Sequence, residues 1–154
     1  MRAPSFGCLM LAVTVACGGR ARPEPAATPS AEFLTPYGAP TRPFSPAVRV
    51  GNMLYLSGQI GTPDAASGNL VPGGIEAETR QTLENIKDVL QRTGSSMDRV
   101  VKCTVMLADM REWDRMNVVY ATYFPKNKPA RSALGANGLA LGARVEIECW
   151  ATVG

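Results

Sequence analysis

The sequence predicts an α+β fold: one mixed sheet with both helices packed on a single face. Three observations point there. Two short β-favouring runs precede a long amphipathic helix, an alternating strand follows it, and a second helix leads into two last strand-like runs. The 154 residues, 45% apolar, give one compact domain a real core and are too few for two ordinary domains.

Two segments of different composition precede the domain. Arg2 gives a minimal positive start, and Phe6 to Ala16 is an apolar run too short to span a bilayer, as in an export signal. The run ends in Thr14-Val15-Ala16-Cys17-Gly18. Small residues before a cysteine resemble a bacterial lipoprotein cleavage box in which Cys17 is acylated, although Thr14 stands where a leucine is usual. Residues 1–17 are therefore expected to be a signal peptide with Cys17 as the lipidation site. The protein is then exported, either periplasmic or held at a bacterial envelope by its lipid anchor. From Gly18 to Thr41, Pro23, Pro25, Pro29, Pro36 and Pro40 punctuate a stretch rich in Ala and Gly, which reads as a disordered or polyproline-like tether. The domain is assigned to residues 42–154.

Within it, Ala47 to Val50 and Met53 to Ser57 are strands joined by Gly51-Asn52, a pair suited to the positive φ angles of a tight hairpin. A glycine-rich loop follows, with a short strand expected at Asn69 to Val71. Ile75, Thr79, Leu83, Ile86 and Leu90 then recur at helical spacing, with Gly94 where a C-terminal cap belongs. Val101, Cys103, Val105 and Leu107 alternate with Lys102, Thr104 and Met106, which is the period of a strand. Asp109 and Glu112 have capping-box spacing and open a second helix with the stripe Trp113, Met116, Tyr120 and Tyr123, most simply core. Pro125 stops it. Arg131 to Leu134 and Arg144 to Thr152 are the last strands, joined by the flexible Gly135 to Gly142 stretch. Apolar residues on both faces of two strands favour a second subunit over water on the uncovered face. Cys103 and Cys149 read as buried thiols, or as a pair if the compartment is oxidising.

Composition excludes several chemistries. The chain has no histidine, which removes Ser/His and Cys/His pairs and the HExxH metal helix, and no metal site is expected. No GxxxxGK[ST] phosphate loop occurs. A net charge of +3 without a basic stripe argues against nucleic acid as a partner. Catalysis is left to carboxylates, Arg, Lys, Tyr, Cys or backbone groups.

The residues become specific when taken in order. Pro43-Phe44-Ser45-Pro46-Ala47-Val48, Ser57-Gly58-Gln59-Ile60, Leu83-Glu84-Asn85-Ile86, Val101-Lys102, Asn117, Pro129-Ala130-Arg131-Ser132 and Val145-Glu146-Ile147-Glu148 follow one another at the spacing of the RidA/YjgF family, formerly called endoribonuclease L-PSP. The chain resembles that family of reactive imine deaminases from Pro43 onward. The resemblance implies a chorismate-mutase-like fold, a homotrimer, no cofactor, and a cleft at each subunit interface that takes a small 2-imino or 2-keto carboxylate. It implies hydrolysis of 2-imino acids of the 2-iminobutanoate/2-iminopropanoate type to 2-keto acids and ammonia. Arg131 is implied to grip the substrate carboxylate and Glu146 to handle the attacking water, with Phe44, Ser57, Gly58, Asn117 and Ala133 lining the ligand.

Those residue types suit that chemistry. A planar guanidinium takes both carboxylate oxygens at once and fixes their plane. A glutamate within hydrogen-bond reach can deprotonate water and return the proton to the departing nitrogen. Glu148 shares the face of Glu146 two residues along and is read as structural. Phe44 stands where many deaminating members carry tyrosine, Ala133 where a cysteine often follows Arg-Ser, and Ala140 where a proline is common, so the pocket walls differ from the common pattern. Two alternatives remain: a non-catalytic trimeric module that binds small carboxylates, which would need Arg131 but not Glu146, and the endoribonuclease or translation-inhibitor activity of the older family name.

Overall fold

The computed structural model describes residues 28–39, 41–64 and 68–154. Cys17, the expected signal peptide and residues 18–27 and 40 of the expected tether lie outside these residues. The described chain runs β1 (Ala31–Leu34), β2 (Ala47–Val50), β3 (Met53–Leu56), β4 (Gln59–Ile60), α1 (Gly74–Arg92), β5 (Val100–Leu107), α2 (Trp113–Tyr123), β6 (Ala130–Gly135) and β7 (Val145–Thr152). The strands form one mixed sheet in the order β1-β2-β3-β7-β5-β6, with β4 also paired to β7. Among the described strands only β5 and β6 run parallel, linked through α2.

Both helices cover one face. Ile75, Leu83, Ile86 and Leu90 of α1 pack without exposure on Leu54, Val105, Ile147 and their neighbours, and α2 adds Met116 and Tyr120. Burying side chains of this size stabilises the fold by about 1.5–3 kcal/mol each. The helix α1 ends where expected: the Ser95 N–H returns to the Leu90 carbonyl at 2.8 Å, one residue after Gly94. On the other face Val48, Met53, Tyr55, Met106, Leu134 and Trp150 stay half-buried or exposed. Cys103 and Cys149 face each other across β5 and β7 and form a disulfide, their Cα atoms 4.1 Å apart. No described helix is long and apolar enough to cross a membrane.

Several elements differ from the sequence reading. A strand, β1, lies inside the stretch read as tether, because Ala31 to Leu34 pair with Val50 to Ala47 and so lend a sheet edge what periodicity did not reveal. No strand forms at Asn69 to Val71; the Val71 N–H bonds the Gly61 carbonyl within the loop, and the short strand is β4 instead. In the hairpin only Gly51 has a positive φ, 60°, and Asn52 does not. Val101 is exposed rather than core-facing, because Val100 opposes Ala151 while Lys102 opposes Trp150, leaving Val101 as the extra residue of a bulge. Asp109 caps a single 3₁₀ turn, Met110–Glu112, through the Arg111 N–H, and the Glu112 carboxylate accepts from Arg144 at 2.6 Å instead of closing a capping box.

Candidate active site

The expected site residues fall into two groups. The first surrounds Glu146. Between β3 and β4 the chain gains one residue on β7: Tyr55 faces Trp150 and Gln59 faces Ile147, four steps against three. Ser57 and Gly58 occupy this irregularity. The Ser57 N–H donates to the Pro46 carbonyl at 3.0 Å and its hydroxyl to the Ser45 carbonyl at 2.7 Å, which ties the bend to the segment carrying Phe44. Phe44 itself is 48% exposed. Gly58 has a steric reason to be glycine: a Cβ there would run into the Glu146 carboxylate.

Glu146 stands opposite Ile60 and Met106, on the sheet face without helices. Partial burial pushes its carboxyl above the usual range, and the nearby Glu148 charge adds to the rise. A carboxylate biased toward holding a proton, in reach of a bend shaped to admit it, has the character of a general acid/base.

The second group surrounds Arg131. Arg131 registers with Cys103, whose side chain faces the helices, so Arg131 points to the helix-covered side from the edge strand β6. Its Nη1 donates to Asn117 Oδ1 at 2.7 Å. Its guanidinium carbon lies 5.0 Å from the Trp113 ring centre and 4.6 Å from that of Tyr120. Trp113, Asn117 and Tyr120 occupy positions i, i+4 and i+7 of α2, one stripe of the helix. Burial pushes the Tyr120 hydroxyl up to about 12 against the pull of the Arg131 charge, and no described group hydrogen-bonds it. Ala133 follows two residues on, half-buried, on the side of Arg131.

The two groups do not meet within one chain. Arg131 and Glu146 lie on opposite faces of the sheet, two strands apart and, through Cys103 and Met106, three residues apart along it. The in-plane offsets are about 10 Å each way. Asn117 belongs with Arg131, whereas Phe44, Ser57 and Gly58 belong with Glu146. Sequence reasoning placed Trp113 and Tyr120 in the core and missed their contact with Arg131; the signal was their helical spacing about Asn117. It also gave Asn85 no role, yet its Nδ2 donates to the Ile60 carbonyl at 3.0 Å and the Thr62 carbonyl at 2.9 Å, fixing the chain after β4. A cavity of about 360 Å³ opens there, lined by Tyr37, Phe44, Gly58, Ile60 and Asn85 among others. Among the described residues no group of three or more Cys, Asp or Glu side chains could hold a metal ion.

Comparison with known proteins agrees with this architecture. The family model described as endoribonuclease L-PSP matches residues 36–153. A mouse protein named 2-iminobutanoate/2-iminopropanoate deaminase is 46% identical over 112 residues, 73% of this chain and 82% of the relative. A Rid-family protein from Yersinia pestis, YyfA, superposes with a TM-score of 0.73 at 36% identity, over 80% of this chain and all of the other. The E. coli protein TdcF, solved with bound serine, superposes with a TM-score of 0.68 at 28% identity, over 73% of this chain and 90% of the other. With a bulge that admits a carboxylate, an edge-strand arginine held by an adjacent helix, and these likenesses across the domain, the chain belongs to the RidA (endoribonuclease L-PSP) family.

Proposed function

We propose that this protein hydrolyses 2-imino acids to 2-keto acids and ammonia, at a site formed where the Arg131 side of one copy meets the Glu146 side of another. The observation that carries this reading is the pairing of a carboxyl of raised pKa, fitted against Gly58, with an arginine that no described carboxylate neutralises. The deaminase name borne by the mouse relative, and the serine held by the E. coli one, support a small amino-acid-like carboxylate as ligand.

In the reaction, the substrate carboxylate lies against the Arg131 guanidinium, which sets the imine carbon beside Glu146. Glu146 takes a proton from water as the oxygen bonds to that carbon. The C=N π pair becomes a lone pair on nitrogen, which takes up the proton. The resulting carbinolamine collapses: Glu146 relays the hydroxyl proton to the amine nitrogen, C=O forms, and the C–N bond breaks to release ammonia. No covalent enzyme intermediate is needed.

Assembly as a homotrimer suits both the separation of Arg131 from Glu146 and the apolar uncovered face of Tyr55, Met106, Leu134 and Trp150. Light scattering on the purified protein measures it directly; a monomer that is active overturns the shared-site reading. Export is supported by the Cys103–Cys149 disulfide, since such bonds persist in oxidising compartments. Radiolabelled fatty acid incorporated by the parent and not by Cys17→Ala is the result expected of a lipoprotein.

The activity test generates 2-iminopropionate in situ and follows its loss. The parent should exceed the spontaneous rate, and Glu146→Gln and Arg131→Ala should both lose most of the acceleration. A protein that binds 2-ketobutyrate through Arg131 without accelerating hydrolysis would instead be a carboxylate-binding module.

A further inference from the structure

We propose that Trp113 and Tyr120 are positioning residues that hold the Arg131 guanidinium in a fixed plane, presenting its unoccupied edge to the ligand carboxylate. This rests on the hydrolase reading above for what the ligand is, but the geometry belongs to this chain. Arg92, Arg111, Arg115 and Arg144 each lie against an Asp or Glu side chain. Arg131 is held differently. Its hydrogen-bond partner is the neutral Asn117, and its other neighbours are two aromatic rings.

The difference matters for binding an anion. An arginine paired with a carboxylate is oriented but already neutralised, and a ligand must displace that partner. Aromatic faces attract the guanidinium through their quadrupoles without cancelling its charge. Asn117 takes Nη1, and among the described residues nothing accepts from Nε or Nη2. That edge can donate two parallel hydrogen bonds to a carboxylate. Because the rings restrict the side chain before ligand arrives, less freedom is lost on binding.

Sequence geometry explains how one helix supplies the whole holder. Trp113, Asn117 and Tyr120 fall at i, i+4 and i+7 of α2, so a ring lies a turn to either side of the amide. Val119, next to Tyr120 in sequence, is buried, while Val118 is 70% exposed, so the stripe is one edge of the apolar face rather than its centre. The Tyr120 hydroxyl takes no part in holding Arg131, since no described group hydrogen-bonds it. Its ring does.

The experiment compares Trp113→Met, which keeps bulk without a π face, with Trp113→Phe, which restores one, and adds Tyr120→Leu as a second, independent site. Two readouts are taken on the full-length protein: turnover of 2-iminopropionate, and the affinity for 2-ketobutyrate by calorimetry, which needs no catalysis. Trp113→Met and Tyr120→Leu should weaken 2-ketobutyrate binding and raise KM by about five- to thirtyfold, with kcat within about threefold of the parent. Trp113→Phe should recover most of the affinity. Parental affinity in Trp113→Met and Tyr120→Leu overturns the proposal. So does a fall in kcat and melting temperature with affinity intact, because that marks a packing role alone. Should either variant fail to fold, the other decides, and Trp113→Phe against parent decides if both fail: affinity held within about threefold supports the proposal and a larger loss opposes it. If the parent neither turns over imine nor binds 2-ketobutyrate, the hydrolase reading fails first; if it does both and the ring variants match it, only the holder fails.

Discussion

Glu146 and Arg131 sit on opposite faces of one sheet and are prepared for their work by different means. Around Glu146 the work is done by exclusion: an irregularity between β3 and β4, a missing Cβ at Gly58, and partial loss of water that raises the carboxyl pKa. Around Arg131 it is done by contact, through an amide at 2.7 Å and two rings. A group that must exchange protons gains from an environment that brings its two protonation states closer in free energy. A group that must keep its charge gains from neighbours that orient it and leave that charge intact. One sheet provides both by using its two faces separately.

The largest expected effect comes from cutting the link between β7, which carries Glu146, and β5, which pairs with the strand of Arg131. The Cys103–Cys149 disulfide ties β5 to β7 across a sequence separation of 46. A loop of that size is worth about 4 kcal/mol on the chain-entropy model, so Cys103→Ala with Cys149→Ala should lower the denaturation midpoint markedly in chemical unfolding. Both regions then lose stability together.

Breaking one side alone should leave the other standing. Gly58→Ala pushes a methyl group into the Glu146 carboxylate, and kcat for 2-iminopropionate should fall by about a hundredfold or more. Affinity for 2-ketobutyrate, which the proposed mechanism assigns to Arg131, should fall far less. Arg131→Lys is the reciprocal break. It keeps a charge but loses the planar edge, and kcat/KM should drop by about ten- to fiftyfold, mainly through KM.

The smallest effect sharpens the account of Glu146. Its folded-state pKa is raised, first by desolvation and then by Glu148. In the proposed mechanism the ionised form is the base, so kcat/KM should fall as pH drops through a value above that of an ordinary glutamate. Glu148→Gln should move this acid limb to lower pH. For stability the sign is opposite to that of a salt-bridged carboxylate. Ionised Glu146 disfavours the folded state; that cost is absent below the unfolded pKa and fully present above the raised folded one.

The local parts of this architecture were legible in the sequence, and the non-local parts were not. Ile75, Leu83, Ile86 and Leu90 announced α1, and Cys103, Val105 and Leu107 announced β5, because each period is written along a single segment. Arg131 and Glu146 stood out through family motifs. That they face opposite ways depends on the pairing of β6 beside β5, where Arg131 is matched with Cys103, a contact that neither strand's own period encodes. β1 escaped for the same reason: Glu32 and Phe33 are exposed, so pairing with Arg49 and Val48, rather than burial, makes them a strand. Trp113 and Tyr120 were visible as an apolar stripe, but a ring that packs on core and a ring that packs on a guanidinium have the same spacing.

The position of β7 has a consequence for how the molecule is made. It is the last strand in chain order, yet β3, β4 and β5 all pair with it. Until residues 145–152 are present, the β1-β2-β3 group and the β5-β6 pair have no shared member and the core face of neither is closed. Such long-range pairing is slow to nucleate, since loop closure must precede any gain from it. A chain that lacks residues 145–152 therefore cannot join its two groups of strands into one sheet.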